Sequence, residues 1–198
     1  RARAIKPDLY ILVDAVQHAP HGLIDLQKTP VDGINIATYK FFGSRGSGLA
    51  WLSDRAAALP HHKLAGSKKD YWDLGSSAPA QFAVVTEIVN YICWIGDQFT
   101  QSGDRRELFV CGMDRIERHE RALLARMLND SVGTTGLRSL PGVKVFLDYE
   151  DLTKRDLILA IGFDHLGHTD AVREYERRGV IVYERVASSL YSKRMLDS

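Results

Sequence analysis

Asp14, Gln17 and Lys40 are the side chains whose types and spacing could do chemistry together, and Gly43, Gly46 and Gly48 follow closely in "NIATYKFFGSRGSG". A lysine beside glycines suggests a phosphate cradle, but a nucleotide P-loop sets its glycines before the lysine and a Ser or Thr directly after it. Here the order is reversed. The dinucleotide pattern G-x-G-x-x-G also fails, because these glycines read G-x-x-G-x-G and lead into strand-like "LAWL" where a helix is required. The set does fit a pyridoxal phosphate site. That cofactor needs a lysine amine to form a Schiff base, and an acidic partner for its pyridine nitrogen so that the protonated ring can take up electrons from a substrate carbanion. Lys40 and Asp14 are of those types. The Gln17 amide could hydrogen-bond the ring's phenolic oxygen, and hydroxyl or backbone donors near Thr38 could meet the phosphate.

The elements around these residues suit that placement. "LYILV" (9–13) is a continuous apolar run with β-branched residues, which predicts a strand buried on both faces with Asp14 at its carboxyl end. "GINIA" (33–37) and "GLAWLS" (from Gly48) predict two further strands separated from each other by the glycine turn. Short buried strands of this kind belong to an α/β sheet, whose ligand crevice lies beyond the strands' carboxyl ends, where Asp14 and Lys40 both fall. Residues 54–78 are polar and broken by Pro60 and glycines, so they read as an irregular connection. Residues 78–99 have helical periodicity, with Pro79 near the start and Gly96 near the end. "MDRIERHERALLARMLND" puts Ile116, Leu123, Leu124 and Leu128 on one side and predicts an amphipathic helix leading to a second subdomain. Strands at 143–147, 157–163 and 180–186 and a helix at 168–179 complete a small α+β unit. The expected division is 1–105 for part of a large domain and 106–198 for the small one.

Composition narrows the function classes. With 26 basic against 25 acidic side chains and no dense Lys/Arg tract, a nucleic-acid surface has no electrostatic support. No apolar stretch is long enough to span a bilayer, and nothing resembles a secretory signal, so a reducing cytoplasm is the expected setting. Cys93 and Cys111 fall in helical segments and at a spacing that makes no zinc site, and the seven histidines show no H-x-x-x-H or H-E-x-x-H pattern, so no metal is expected. His18 and His21 in "QHAPHG" are expected to satisfy local backbone groups.

The ordered set D-A-x-Q, a strand, x-Y-K and G-x-x-G-x-G resembles class V aminotransferases, and most of all their cysteine-desulfurase-like branch. The resemblance implies a fold-type-I pyridoxal-phosphate enzyme, α/β in class, with a mainly parallel large-domain sheet and a small α+β C-terminal domain. It implies that Lys40 carries the cofactor, Asp14 faces the pyridine nitrogen and Gln17 contacts the ring oxygen, with Thr38 and Tyr39 beside them. "WDLGSSAPAQFAVV" is similar to the family's segment in which a hydroxyl reaches the phosphate of the neighbouring subunit, and Ser76 holds that place, which implies a homodimer. Two departures stand out. Ala37 occupies the position three before the lysine where the family usually has Ser or Thr, and "ASSLYSKRM" carries no cysteine where desulfurases have their nucleophile.

The reading is therefore a pyridoxal phosphate enzyme acting on a small-molecule amino acid, with carbon–sulfur cleavage or a related elimination as its chemistry. Transamination or epimerisation on the same scaffold is the alternative, and a non-catalytic interaction piece is the alternative of another class. By family size, the sequence reads as a central and C-terminal piece of a longer enzyme.

Overall fold

A computed structural model describes residues 1–69, 71–75 and 78–184. The chain separates into two compact units, Arg1–Glu120 and Arg121–Ser198. The boundary lies inside a helix rather than at residue 105, where that helix begins.

In the first unit a one-turn helix α1 (Ala2–Ile5) precedes strand β1 (Leu12–Asp14), then β2 (Gly33–Ala37), a 3-10 turn over Thr38–Lys40, and β3 (Gly48–Leu52). β1 and β2 run parallel, with Leu12 opposite Gly33 and Asp14 opposite Asn35. β2 and β3 run antiparallel, with Ala37 opposite Gly48. The sheet thus joins one parallel and one antiparallel pair in the order β1-β2-β3. The short helix α2 (Asp54–Ala57) follows, N-capped by the Ser53 hydroxyl, which accepts from the Ala56 N–H.

Two long helices follow, the first meeting the glycine turn through Val84 and Ile88, and the second lining a cavity beside Ile36 of β2 through Phe109 and Met113. α3 (Pro79–Asp97) starts with proline in its first turn, where a missing N–H costs nothing. α4 (Arg105–Leu128) begins where the Asp104 carboxylate accepts the Glu107 N–H at 2.8 Å, so it takes in Cys111 and starts earlier than the amphipathic pattern predicts. The helices approach backbone to backbone. A Cβ on Gly96 would stand 2.0 Å from the Leu108 carbonyl oxygen, and one on Gly112 would stand 2.1 Å from that of Ile92. Glycine is required at both places for that reason. Ile88, Ile92 and Met113 form the buried centre, with Leu23, Phe41, Val84, Phe109 and Ile116 packed around it.

Strand β1 departs from expectation. The apolar run "LYILV" predicts burial on both faces, yet Leu12 is 71% exposed and the whole of β1 is open. β1 is the outer strand of its sheet, paired among the described strands only with β2.

Asp32, just before β2, is the most heavily bonded carboxylate of this unit. It is buried and accepts from Arg55, from Arg3 Nη2 at 2.5 Å, from the Ile11 N–H at 2.8 Å and from the Ser53 hydroxyl at 3.2 Å. The Arg55 guanidinium also lies 4.3 Å from the Tyr10 ring centroid. Asp32 thereby ties the start of the chain, the approach to β1 and helix α2 to the beginning of β2.

In the second unit, β4 (Val143–Val145) pairs antiparallel with β5 (Ile161–Phe163), and α5 (His168–Arg177) follows. Both strands are shorter than the predicted 143–147 and 157–163. Positive φ at Leu147 ends the extended run after β4. Residues 180–184 form no strand, and the remainder of the predicted strand, 185–186, lies outside the described residues. Arg138 closes the connection after α4, donating to Asp148, to Asn129 Oδ1 at 2.7 Å and to the Tyr149 carbonyl at 3.0 Å. Among the described residues no helix is long and apolar enough to cross a membrane.

Candidate active site

The parallel register of β1 and β2 sets Asp14 and the turn that carries Lys40 at one edge of the sheet. Both strands end at the same sheet edge, so Asp14 closes β1 beside Asn35, and Ala37 closes β2 two residues later, just before the 3-10 turn that ends at Lys40. β3 returns from that edge, which sets the glycine turn there too.

Asp14 is exposed, and its carboxylate is held through one oxygen. Oδ1 accepts the Val16 N–H at 3.1 Å and the Asn35 side-chain amide at 3.3 Å. Gln17 is exposed in the turn that follows. Lys40 is half-buried, and its amine lies 5.8 Å from the Tyr39 ring centroid. Among the described residues no hydrogen bond or ion pair engages that amine. The exposed Tyr39 ring also takes the Arg45 guanidinium at 5.0 Å, a contact worth about 0.5–1 kcal/mol at an open site.

The expectation was that hydroxyl or backbone donors near Thr38 could meet the phosphate; the Thr38 side chain is fully buried and its hydroxyl is engaged by the turn, which leaves that role to backbone donors. Oγ1 lies 2.9 Å from the Ser44 carbonyl, 3.1 Å from the Ser47 carbonyl and 2.7 Å from the Ser47 hydroxyl. A hydroxyl has one proton, and here the turn takes it. The Thr38 carbonyl accepts from Phe41 and Gly43 as well, so this residue organises the whole turn.

The glycines serve the same packing. A Cβ on Gly43 would meet the Thr38 carbonyl and the Val84 and Ile88 side chains of α3 at 2.8–2.9 Å. Gly46 has φ +101° and accepts the Gln81 side-chain amide of α3 at 2.9 Å. The turn is therefore clasped to α3, and its glycines are explained without a phosphate.

Of the two histidines, His21 reaches beyond its own loop. Its Nδ1 lies 2.8 Å from Glu120 Oε2 on α4. The His18 ring lies over Gly22, where a Cβ would come within 2.8 Å of it. Ser76 lies outside the described residues. Sequence reasoning overlooked Asn35 and Arg45. Their signals were an asparagine in the middle of an apolar strand, where that residue type is disfavoured, and an arginine close to the exposed tyrosine.

Residues 1–187 match the family described as Aminotransferase class-V. The chain belongs to the class V aminotransferase family. That family is one of pyridoxal-phosphate-dependent enzymes, and the α/β organisation of this class V chain is that of part of a fold-type-I member. A probable cysteine desulfurase of Mycoplasma genitalium is 38% identical over 65 residues, or 32% of this chain and 16% of the relative. A probable cysteine desulfurase of Mycoplasma pneumoniae is 38% identical over 50 residues, or 25% of this chain and 12% of the relative. The segments of this chain that match them are therefore similar to parts of proteins described as probable cysteine desulfurases. The solved structure of the cysteine desulfurase CsdA of Escherichia coli, in an S-sulfonic acid form, aligns over 91% of this chain and 42% of that one, with 17% identity and a TM-score of 0.47. This chain thus spans less than half the length of that enzyme, and the matched segments are smaller fractions of the curated relatives.

The class V donor set suits pyridoxal phosphate on chemical grounds. An amine without an anion partner among the described residues and a carboxylate oriented through one oxygen lie at the carboxyl ends of neighbouring strands, with an exposed amide in the turn that follows the first. Those are the group types the cofactor requires at its aldehyde, its ring nitrogen and its ring oxygen.

Proposed function

We propose that this chain supplies the lysine, the ring-nitrogen carboxylate and the ring-oxygen amide of a pyridoxal-phosphate-dependent enzyme acting on an amino acid, with desulfurase-like carbon–sulfur cleavage as its reaction. One observation carries the reading. The Lys40 amine, which has no hydrogen-bond or ion-pair partner among the described residues, follows the carboxyl end of β2, and the anchored Asp14 carboxylate stands at the carboxyl end of its parallel neighbour.

Lys40 would hold the cofactor through Nζ, Asp14 would face its ring nitrogen and Gln17 its ring oxygen. The cofactor, when bound, supplies an electron-poor ring that takes up the pair left on the substrate's α carbon. A carboxylate at Asp14 beside that nitrogen would favour its protonated form. Lys40 Nζ would be the base that takes the α-proton and carries it. No carboxylate among the described residues competes for it. Tyr39 and Arg45 border the lysine, and the buried Thr38 fixes the turn that follows. The active form is read as a homodimer in which Ser76 serves the partner's phosphate.

The test is borohydride reduction of the whole protein loaded with pyridoxal phosphate, followed by peptide mapping, with sulfur release and keto-acid formation measured in parallel. A pyridoxyl group on Lys40 with sulfur released from a sulfur amino acid is the expected result. A pyridoxyl group on another lysine would sink the assignment. Keto acid without sulfur release would turn it to transamination, and no cofactor uptake at all would favour a non-catalytic role.

A further inference from the structure

We propose that Asn35 is a positioning residue for Asp14, orienting its carboxylate toward the cofactor ring. The proposal rests on the reading of Asp14 as the partner of the ring nitrogen, and it concerns a residue that the family pattern quoted above leaves unassigned.

Residues opposite one another in adjacent strands share a face, and successive residues of one strand alternate between faces. Asp14 and Asn35 are opposite one another. Ile36, the next residue of β2, lines an apolar cavity of about 150 Å³ with Phe41, Phe109 and Met113, so its face is turned to the helices. Asn35 therefore stands on the other face, the open one, together with Asp14. Its backbone and its side chain act at consecutive residues. The Asn35 carbonyl accepts the Ala15 N–H at 3.0 Å, and its amide donates to Asp14 Oδ1 at 3.3 Å.

A carboxylate can only accept, so the Asn35 amide must present its NH₂ group to Asp14. The Val16 N–H reaches the same oxygen at 3.1 Å. Two donors on Oδ1 restrict rotation of the carboxylate, while Oδ2 takes neither bond. The arrangement offers the ring nitrogen one oxygen on a carboxylate already turned. An asparagine that served only to wet an exposed strand would have no such partner, and β-branched residues would suit its backbone better.

The experiment uses the whole protein with pyridoxal phosphate labelled with ¹⁵N in the ring. Asn35→Val and Asn35→Ala are compared with the unmodified protein and with Asp14→Asn in three measurements: the ring-nitrogen resonance across pH, cofactor retention by equilibrium dialysis, and the melting temperature of the cofactor-free protein. Both Asn35 variants should hold the cofactor roughly three- to tenfold more weakly, the effect of a weak charge-assisted hydrogen bond. Their ring-nitrogen resonance should move toward the unprotonated position, in the direction that Asp14→Asn moves it further. Asn35→Val should melt no lower than the unmodified protein, since valine favours strands, and Asn35→Ala gives the same comparison without added bulk. If Asp14→Asn shifts the resonance and neither Asn35 variant changes resonance or retention, the Asn35 proposal falls alone. If Asp14→Asn leaves the resonance in place, the reading of Asp14 falls and this proposal with it.

Discussion

The Thr38 and Ser47 hydroxyls lie 2.7 Å apart inside the glycine turn, the first fully buried and bonded to that turn's own carbonyls. Thr38→Val should therefore destabilise the protein by about 1–3 kcal/mol, because it strands buried acceptors while keeping the side chain's shape. Thr38→Ser, which keeps the oxygen, should lose less. Urea unfolding of the two variants checks this, and equal losses would remove the hydroxyl from the argument.

Gly96→Ala sets two effects against each other. Alanine is the better helix former by about 1 kcal/mol. Its Cβ would, however, stand 2.0 Å from the Leu108 carbonyl oxygen, a backbone atom that cannot swing aside. Overpacking typically costs about 1–3 kcal/mol and more where backbone must move, so we expect net destabilisation and a lower melting temperature. Gly103→Ala, whose Cβ would meet nothing within 4 Å, should be neutral to within about 0.5 kcal/mol.

Asp32 makes stability fall in acid. Hydrogen bonding from Arg55 is the largest of the causes that hold its carboxyl well below the usual carboxylate range, with the Ile11 N–H and Arg3 adding to it against the cost of desolvation. A carboxyl depressed on folding contributes its full stabilisation above its unfolded value, near pH 4, and loses it as pH falls from there toward the folded value. The urea midpoint should therefore drop below about pH 4. Asp32→Asn should lower the midpoint at neutral pH and flatten part of the acid decline. The rest persists because Asp25, Asp148, Asp151 and Glu174 are shifted in the same direction.

Lys40→Ala should leave the cofactor-free protein's stability within about 0.5 kcal/mol, since among the described residues the amine has no hydrogen bond or ion pair to lose and its contact with the exposed Tyr39 ring is a long one. The same variant should abolish the borohydride-fixed pyridoxyl group. Calorimetry and mass spectrometry read the two effects separately, and a large loss of stability would make Lys40 a structural residue.

The placement of Asp14 and Lys40 at one sheet edge was legible in the sequence because it follows from local order. An aspartate at a strand end, a glutamine one turn on, and a lysine after the next strand reach one sheet edge whenever those strands pair in parallel, and their apolar runs made them visible as strands. The long helices were legible for a similar reason, since their periodicity and Pro79 are properties of neighbouring residues. Contacts between distant segments were not. The role of Thr38 depends on Ser44 and Ser47 folding back over it, and that of Asp32 on arginines 29 and 23 residues away. The reach of His21 to Glu120 spans 99 residues. The exposure of Leu12 misled because composition reports how apolar a strand is and only the packing decides which of its faces is covered. Residue order determined which groups could meet at the sheet edge. The tertiary structure decided which hydroxyl turned inward, and which amide turned toward Asp14, because hydrogen bonds between separate strands depend on register.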